Sequence, residues 1–403
     1  MAAGISDDLM APEVIEDPHT YYRTIRELDP IHWNDRWGGW VLTRYDDVVQ
    51  VLRDWKRFSS DRMGFLANEL SPEEQEPLTP IFDVLSRWMV FSDPPHHTKL
   101  RLLLNPLFTP TAVEYYREQV RGIVKRRLDE IEPLGRMEVV RDLAYQIPMS
   151  VILDLMGARE LDRDDIKVWS EQLGAFFFIR ADEPRRREIA VEGVNNLVAL
   201  LEPLIEERRA SRGDDLISVL LNAEDAGEIT HDDVVATCVL LIFGGHETTM
   251  NLIANGTLAL IRNPGSWEFL RDNPDTMRNA VEELLRYDGS VKTTVRWAKE
   301  DVEVGGQLIR AGERVLCGLS AANRDPAQFP DPDRLELTRS PNLHVAFAHG
   351  IHVCIGGPLA KLEAREAFTA LTQRLPCPTL ETEHLEYRPT VIGRALMRLP
   401  VTF

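Results

Sequence analysis

Residues 344–361 read HVAFAHGIHVCIGGPLAK and set His344, His349, His352 and Cys354 among glycines at 350, 356 and 357, just ahead of an apolar, helix-like segment. Imidazole nitrogens and a thiolate this close together are zinc-type ligands when four of them converge on one point. Two features count against zinc. The glycines suit a backbone that must approach something flat and large. Pro358 marks a helix start whose free N–H groups point back toward Cys354. A thiolate held by such donors has a lowered pKa and is a good ligand for iron.

The surrounding chain has 403 residues, long enough for two domains or for one large α-rich domain enclosing something. No repeat, linker or low-complexity tract divides it, so a single domain over 1–403 is expected. The net charge of -19 excludes general binding to nucleic acid or anionic membranes, because the summed field repels phosphate. Cys238, Cys317, Cys354 and Cys377 are far apart and lack CxxC spacing, which suits a reducing compartment. No basic n-region precedes an apolar run at the start, and no window of ~18 apolar residues provides a membrane span. A soluble, cytoplasmic protein is expected.

Two short strands, Ile31 to Trp33 and Trp40 to Leu42, flank a Gly38-Gly39 turn, with a helix after Tyr45 and a small sheet over about 30–45. From about 95 to 290 the apolar residues recur at the helical period, as in Val120, Ile123, Val124, Leu128 and Ile131. A second β-rich stretch alternates around Gly305-Gly306 and Ala311-Gly312, and helix returns after Pro358. The class is mainly α with small β-sheets.

One helix is unusual. EITHDDVVATCVLLIFGGHETTMNLIANGTLALIRNP (228–264) opens on a Thr230/Asp233 capping signature and stops at Asn263-Pro264. Such a helix spans roughly 48 Å and must cross the molecule. Gly244 and Gly245 in its middle cost about 1 kcal/mol each relative to alanine. They precede His246, Glu247, Thr248 and Thr249, and a Thr248 hydroxyl can bond back to the Gly244 carbonyl and widen the helix. A bent helix with a carboxylate and a hydroxyl can hold a small molecule and deliver protons.

FAHGIHVCIG (347–356) resembles the heme-binding loop of the cytochrome P-450 family, F-x-x-G-x-H/R-x-C-x-G, at every defining position. GGHETT (244–249) resembles the family's oxygen-activating helix centre. EELLRY (282–287) holds its E-x-x-R pair, and FPDPDRLEL (329–337) its following arginine, with Leu335 where Phe is common. SDPPHHTKLRLLL (92–104) and TTVRWA (293–298) are similar to its heme-facing segments. The resemblance covers essentially the whole chain and implies a single large cytochrome P-450 fold enclosing a heme, with the ligand loop at 344–358.

By that resemblance Cys354 is the axial metal ligand on heme b (iron protoporphyrin IX), Phe347 shields its sulfur, and Gly356 and Gly244 leave room for the ring. His97, Arg101, Arg296 and His352 are carried over as propionate partners. Two buried carboxylates require cationic or N–H partners of this kind. His344 and His349 are left structural. Glu247 and Thr248 take the catalytic acid and alcohol positions, and Glu283, Arg286 and Arg334 form a structural network.

The implied activity is a monooxygenase reaction, insertion of one oxygen atom of dioxygen into a hydrophobic small organic substrate. The implied pocket comprises Met63, Phe65, Trp88, Val90, Phe177 within the segment 176–179, Leu240, Leu241, Val291, Thr294, Val295 and Ile392. Lys292 is expected to point to solvent rather than to a substrate. No flavin or iron–sulfur segment fits in the chain, so electrons must come from outside, and the resemblance implies a ferredoxin or flavodoxin with an NAD(P)H reductase as their source. Lys99, Arg101, Arg121, Lys125, Arg126 and Arg127 are either a docking patch for such a donor or a solvated helix face. A peroxide-driven peroxygenase and a heme-binding sensor or carrier are the competing functions.

Overall fold

A computed structural model describes residues 5–178 and 185–403. The crossing helix is continuous over His231–Arg262, and its start is set by the expected reciprocal cap. The Thr230 hydroxyl accepts from the Asp233 amide at 3.3 Å, while the Asp233 carboxylate accepts from the Thr230 amide at 2.9 Å. Beyond its first turn the helix is buried on nearly all sides, because helices Gln146–Leu155, Arg186–Ala210, Met277–Asp288 and Gly357–Arg374 pack around it. Gly256 makes the last of these packings possible: a β-carbon there would sit 2.4 Å from the Phe368 ring. Thr257 Oγ1 and Asn255 Nδ2 donate to the carbonyls of Ile253 and Arg394 at 2.8 and 2.9 Å.

The two β-rich regions of the sequence form one sheet. Strands Ile31–Asn34, Gly39–Leu42, Arg314–Gly318, Thr293–Ala298 and Phe58–Ser59 lie side by side in that order. Trp40 pairs with Val315 in parallel, and Thr293 pairs with Gly318 antiparallel. A hairpin joins Val302–Val304 to Gln307–Ile309 across Gly305 and Gly306, whose φ values of +53° and +90° suit glycine. A third small sheet brings Arg136–Glu138, from inside the mainly helical stretch, against Pro400–Thr402 and Thr379–Leu380.

The helix Met277–Asp288 carries a fully buried carboxylate, Glu283. Arg286 grips it with two nitrogens at 2.8 Å each. The second guanidinium belongs to Arg339, 3.1 and 3.2 Å from the two oxygens, and not to Arg334 as the motif implied. Arg334 contributes only its carbonyl, which accepts from Arg286 at 3.1 Å, and its side chain is exposed. The segment between is irregular, with Asp331 at φ +47°, so residue spacing gives no rule for which arginine turns inward. Asn342 and the Glu336 amide complete the cluster at 3.2 and 2.9 Å.

Arg339→Ala leaves Glu283 to Arg286, Asn342 and the Glu336 amide and removes two charge-assisted hydrogen bonds. It should therefore lower unfolding free energy by about 1.5–3 kcal/mol, whereas Arg334→Ala should stay within about 0.5 kcal/mol of the parent. Urea titrations of both variants at constant slope check the assignment.

Candidate functional site

The loop before Gly357–Arg374 is closed by the Cys354 amide, which donates to the Phe347 carbonyl at 2.9 Å. Ala348 and Gly350 turn it with φ of +59° and +73°, and a β-carbon at Gly350 would lie 2.3 Å from the Leu52 carbonyl oxygen. Cys354 lines the cavity and is open to that space. Burial pushes the Cys354 thiol up, while the Gly356 and Gly357 amides, Arg101 and Lys361 pull the other way. The lowered pKa expected from the helix start is thus outweighed by burial in the polypeptide alone. Phe347 lies under Lys361, whose Nζ is 5.3 Å from the ring centre.

The other loop histidines are occupied structurally. His344 pairs with Glu282 at 2.9 Å, and His349 accepts from Arg53 and from the Gly350 amide. Among the described residues no three His, Cys, Asp or Glu side chains converge as a metal site, which removes the zinc alternative.

A flat dianionic group would find its partners here. His97, on helix His96–Leu104, has its ring 4.3 Å from that of His352. Both ring nitrogens of His97, and Nε2 of His352, are buried with no hydrogen-bond partner. Arg101 donates to the Val353 carbonyl at 2.6 Å, and Arg296 to Val295 and Thr294 at 2.8 and 3.2 Å, with the remaining guanidinium nitrogens left for the cavity they line. Burial, followed by Arg296, His97 and Arg101, holds His352 down to about 2. Burial and Arg101 likewise lower His97. A cluster of nitrogens that cannot charge without a counter-ion fits two carboxylates, and so fits the implied heme.

Opposite Cys354, the two mid-helix glycines serve different ends. A β-carbon at Gly245 would press on Ile152 at 3.1 Å, whereas one at Gly244 would meet nothing within 4 Å. Gly244 therefore leaves open space beside the cavity. Thr248 Oγ1 donates to the Gly244 carbonyl at 2.9 Å, as expected, and Ser290 donates to the Thr248 carbonyl at 2.5 Å. Glu247 is raised above its ordinary value by burial and opposed by Arg388, whose Nη1 lies 2.6 Å from its carboxylate. Arg388 also reaches Glu171 at 3.1 Å, a half-exposed carboxylate that connects the pair to solvent. His246 turns away, its Nδ1 donating to Ile242 at 2.7 Å, and burial lowers it to about 4.

One cavity of about 390 Å³ contains both halves of this site. Trp88, Val90, Phe177, Leu240, Leu241, Val291, Thr294, Val295 and Ile392 line it as expected. Met63 and Phe65 do not. Met63 is 1% exposed in the main core, and Phe65 stacks on Trp297 at 5.3 Å. Their helix, Arg62–Glu69, presents Arg62 to the cavity instead. Ile179, also named from the sequence, lies outside the described residues.

Lys292 is a further correction, since it is 3% exposed and lies outside the cavity lining. The bridge between Val291 and Gly393 turns its chain inward, Nζ donates to the Thr390 carbonyl at 2.7 Å, and burial lowers it to about 7. Arg388, Ser290, Arg62 and the buried Glu363, raised well above its ordinary value by burial, were missed from sequence. Each lies outside the quoted motifs or carries no spacing signal.

The family model described as Cytochrome P450 matches residues 40–390. A biotin biosynthesis cytochrome P450 of Bacillus subtilis (strain 168) is 36% identical over 404 residues, covering 99% of this chain and 99% of that protein. The cytochrome P450 monooxygenase PikC of Streptomyces venezuelae is 37% identical, over 96% of this chain and 91% of its own. The crystal structure of P450BioI in complex with hexadec-9Z-enoic acid ligated acyl carrier protein superposes with a TM-score of 0.90 at 36% identity, covering 97% of this chain and 99% of that one.

Two titrations follow from the site. Arg388→Gln removes the cation that opposes desolvation of Glu247, so the carboxyl should titrate at higher pH than in the parent. Isotope-edited infrared spectroscopy of the carboxyl stretch reads this, and an unmoved titration would separate the two groups electrostatically. His246, lowered on folding from 6.5 to about 4, contributes stability present above pH 6.5 and lost as pH falls toward 4, by about 3 kcal/mol. His246→Phe should flatten that part of the stability–pH curve.

Proposed function

The chain belongs to the cytochrome P450 family, and on that premise we propose that it is a heme-thiolate monooxygenase that inserts one atom of dioxygen into a hydrophobic small organic molecule. The observation that carries this reading is the pairing of Cys354 with the unpartnered nitrogens of His97 and His352 across one cavity from the Gly244–Thr248 turn. A heme b held by Cys354 would supply the capacity to cleave an O–O bond, which a thiolate ligand favours.

The residues divide the remaining work. The Gly356 and Gly357 amides hold negative charge on Cys354, and His97, Arg101, Arg296 and His352 neutralise the carboxylates of the cofactor. Gly244 keeps space for a small ligand above Thr248, whose hydroxyl can turn from the Gly244 carbonyl to donate there. Glu247 can take up and pass on a proton at its buried carboxyl, and the Arg388–Glu171 connection gives it a route to bulk water. The apolar lining around Trp88, Phe177, Leu240 and Leu241 excludes water and favours an apolar substrate.

Electrons arrive from a ferredoxin or flavodoxin and its NAD(P)H reductase. The basic cluster expected to receive that donor is largely neutralised: Arg121 pairs with Glu118 and Glu366, Lys125 with Asp129, and Arg127 with Glu130. Lys99 and Arg126 are its exposed members without an ion-pair partner among the described residues. A cytoplasmic setting is supported by four unpaired cysteines. Among the described residues no helix is long and apolar enough to cross a membrane.

The ferrous carbon monoxide adduct should show the strongly red-shifted Soret band of thiolate ligation in the parent and lose it in Cys354→His. A parent spectrum without that band would overturn the reading. Thr248→Ala should lower product formed per NAD(P)H consumed severalfold in a reconstituted system while leaving that band in place.

A further inference from the structure

We propose that Arg62 is a specificity-determining residue that binds the carboxylate of an amphipathic acid, a substrate with a long apolar body and one anionic end. This rests on the monooxygenase reading and names the substrate class it leaves open. Arg62 opens the helix Arg62–Glu69 and lines the cavity. Its guanidinium lies 4.8 Å from the centre of the Phe177 ring and 5.8 Å from that of Phe91. Those rings belong to one aromatic cluster with Trp88 and with Phe243, the residue before Gly244. The cation therefore sits on the long-helix side of the cavity, within the apolar surface that a substrate would touch.

The charges do not balance there. Among the described residues no carboxylate pairs with Arg62, and the two charges that act on it, Arg314 and Arg186, are both cationic. Burial and that repulsion lower it to about 10, still charged at neutral pH. Cation–π attraction offsets only part of the cost of burying an unpaired guanidinium. The acids that line the cavity are accounted for: Glu247 pairs with Arg388, and burial raises Glu363 well above its ordinary value. Arg101, Arg296, His97 and His352 face the cofactor's own carboxylates. Among the described residues Arg62 is the cavity cation left over, and its planar fork matches a carboxylate with two parallel hydrogen bonds.

Dodecanoic acid and dodecan-1-ol share a chain and differ in the charged end. The heme-loaded protein is titrated with each, reading the low-spin to high-spin shift and, independently, the heat of binding. The parent should bind the acid about tenfold or more tightly than the alcohol. Arg62→Gln should bring that ratio near one by weakening the acid, with the alcohol within about twofold of the parent, and Arg62→Lys should recover part of the preference. A parent with no preference, or a preference that persists in Arg62→Gln, overturns the proposal. The carbon monoxide spectrum of each variant shows whether the site is intact. Loss of the thiolate band in the parent would fail the monooxygenase reading, while the calorimetric ratios still decide the role of Arg62.

Discussion

An ionised carboxylate can be buried only where donors surround it, and Glu283 turns that demand into architecture. Its oxygens gather Arg286 from its own helix, with Arg339, Asn342 and the Glu336 amide from an irregular stretch of chain. Arg286 in turn donates to the carbonyls of Asn323, Pro332 and Arg334. The chain leading to the cysteine loop thus has little regular secondary structure yet is fastened along its length. The same helix holds the loop itself, since Glu282 pairs with both His344 and Lys361. These contacts act with the Cys354–Phe347 backbone hydrogen bond to hold the loop.

The second organising element is a helix long enough to pass through the molecule, with two glycines at its centre. Gly245 allows Ile152 to approach, while Gly244 leaves a void. Packing and function thus occupy neighbouring residues, and a single turn combines close contact on one face with room on the other. The polar groups there are sorted the same way. His246 is held neutral in the core, and Glu247, its neighbour, reaches Arg388 and solvent beyond.

Much of this was legible because several functions are encoded by consecutive residues. FAHGIHVCIG and GGHETT carry their geometry in short stretches, so Cys354, Phe347, Glu247 and Thr248 come together in the cavity as read. The helix cap at Thr230 and Asp233 was equally local. What was not legible depends on which way a side chain points in irregular or short segments. Arg334 and Arg339 are five residues apart in a loop without periodicity, and only one faces Glu283. Met63, Phe65 and Arg62 share one short helix, and its orientation gives the cavity the arginine rather than the apolar pair. Lys292 defied its charge because a single bridge to Gly393 turns it inward. Partners from remote chain, such as Arg388 for Glu247, left no trace in spacing.

The order of strands in the main sheet has a consequence for how the chain is made. Gly39–Leu42 lies between its hairpin partner Ile31–Asn34 and Arg314–Gly318, and Phe58–Ser59 pairs only with Thr293–Ala298. At roughly 5–20 residues per second, about 14 to 54 s separate the emergence of Leu42 from that of Arg314. Through that interval an isolated two-stranded ribbon, marginal by itself, waits with an open edge. The sheet can therefore close only once residues 293–318 have been made, so the cavity that Thr293 to Arg296 help to line forms late in synthesis.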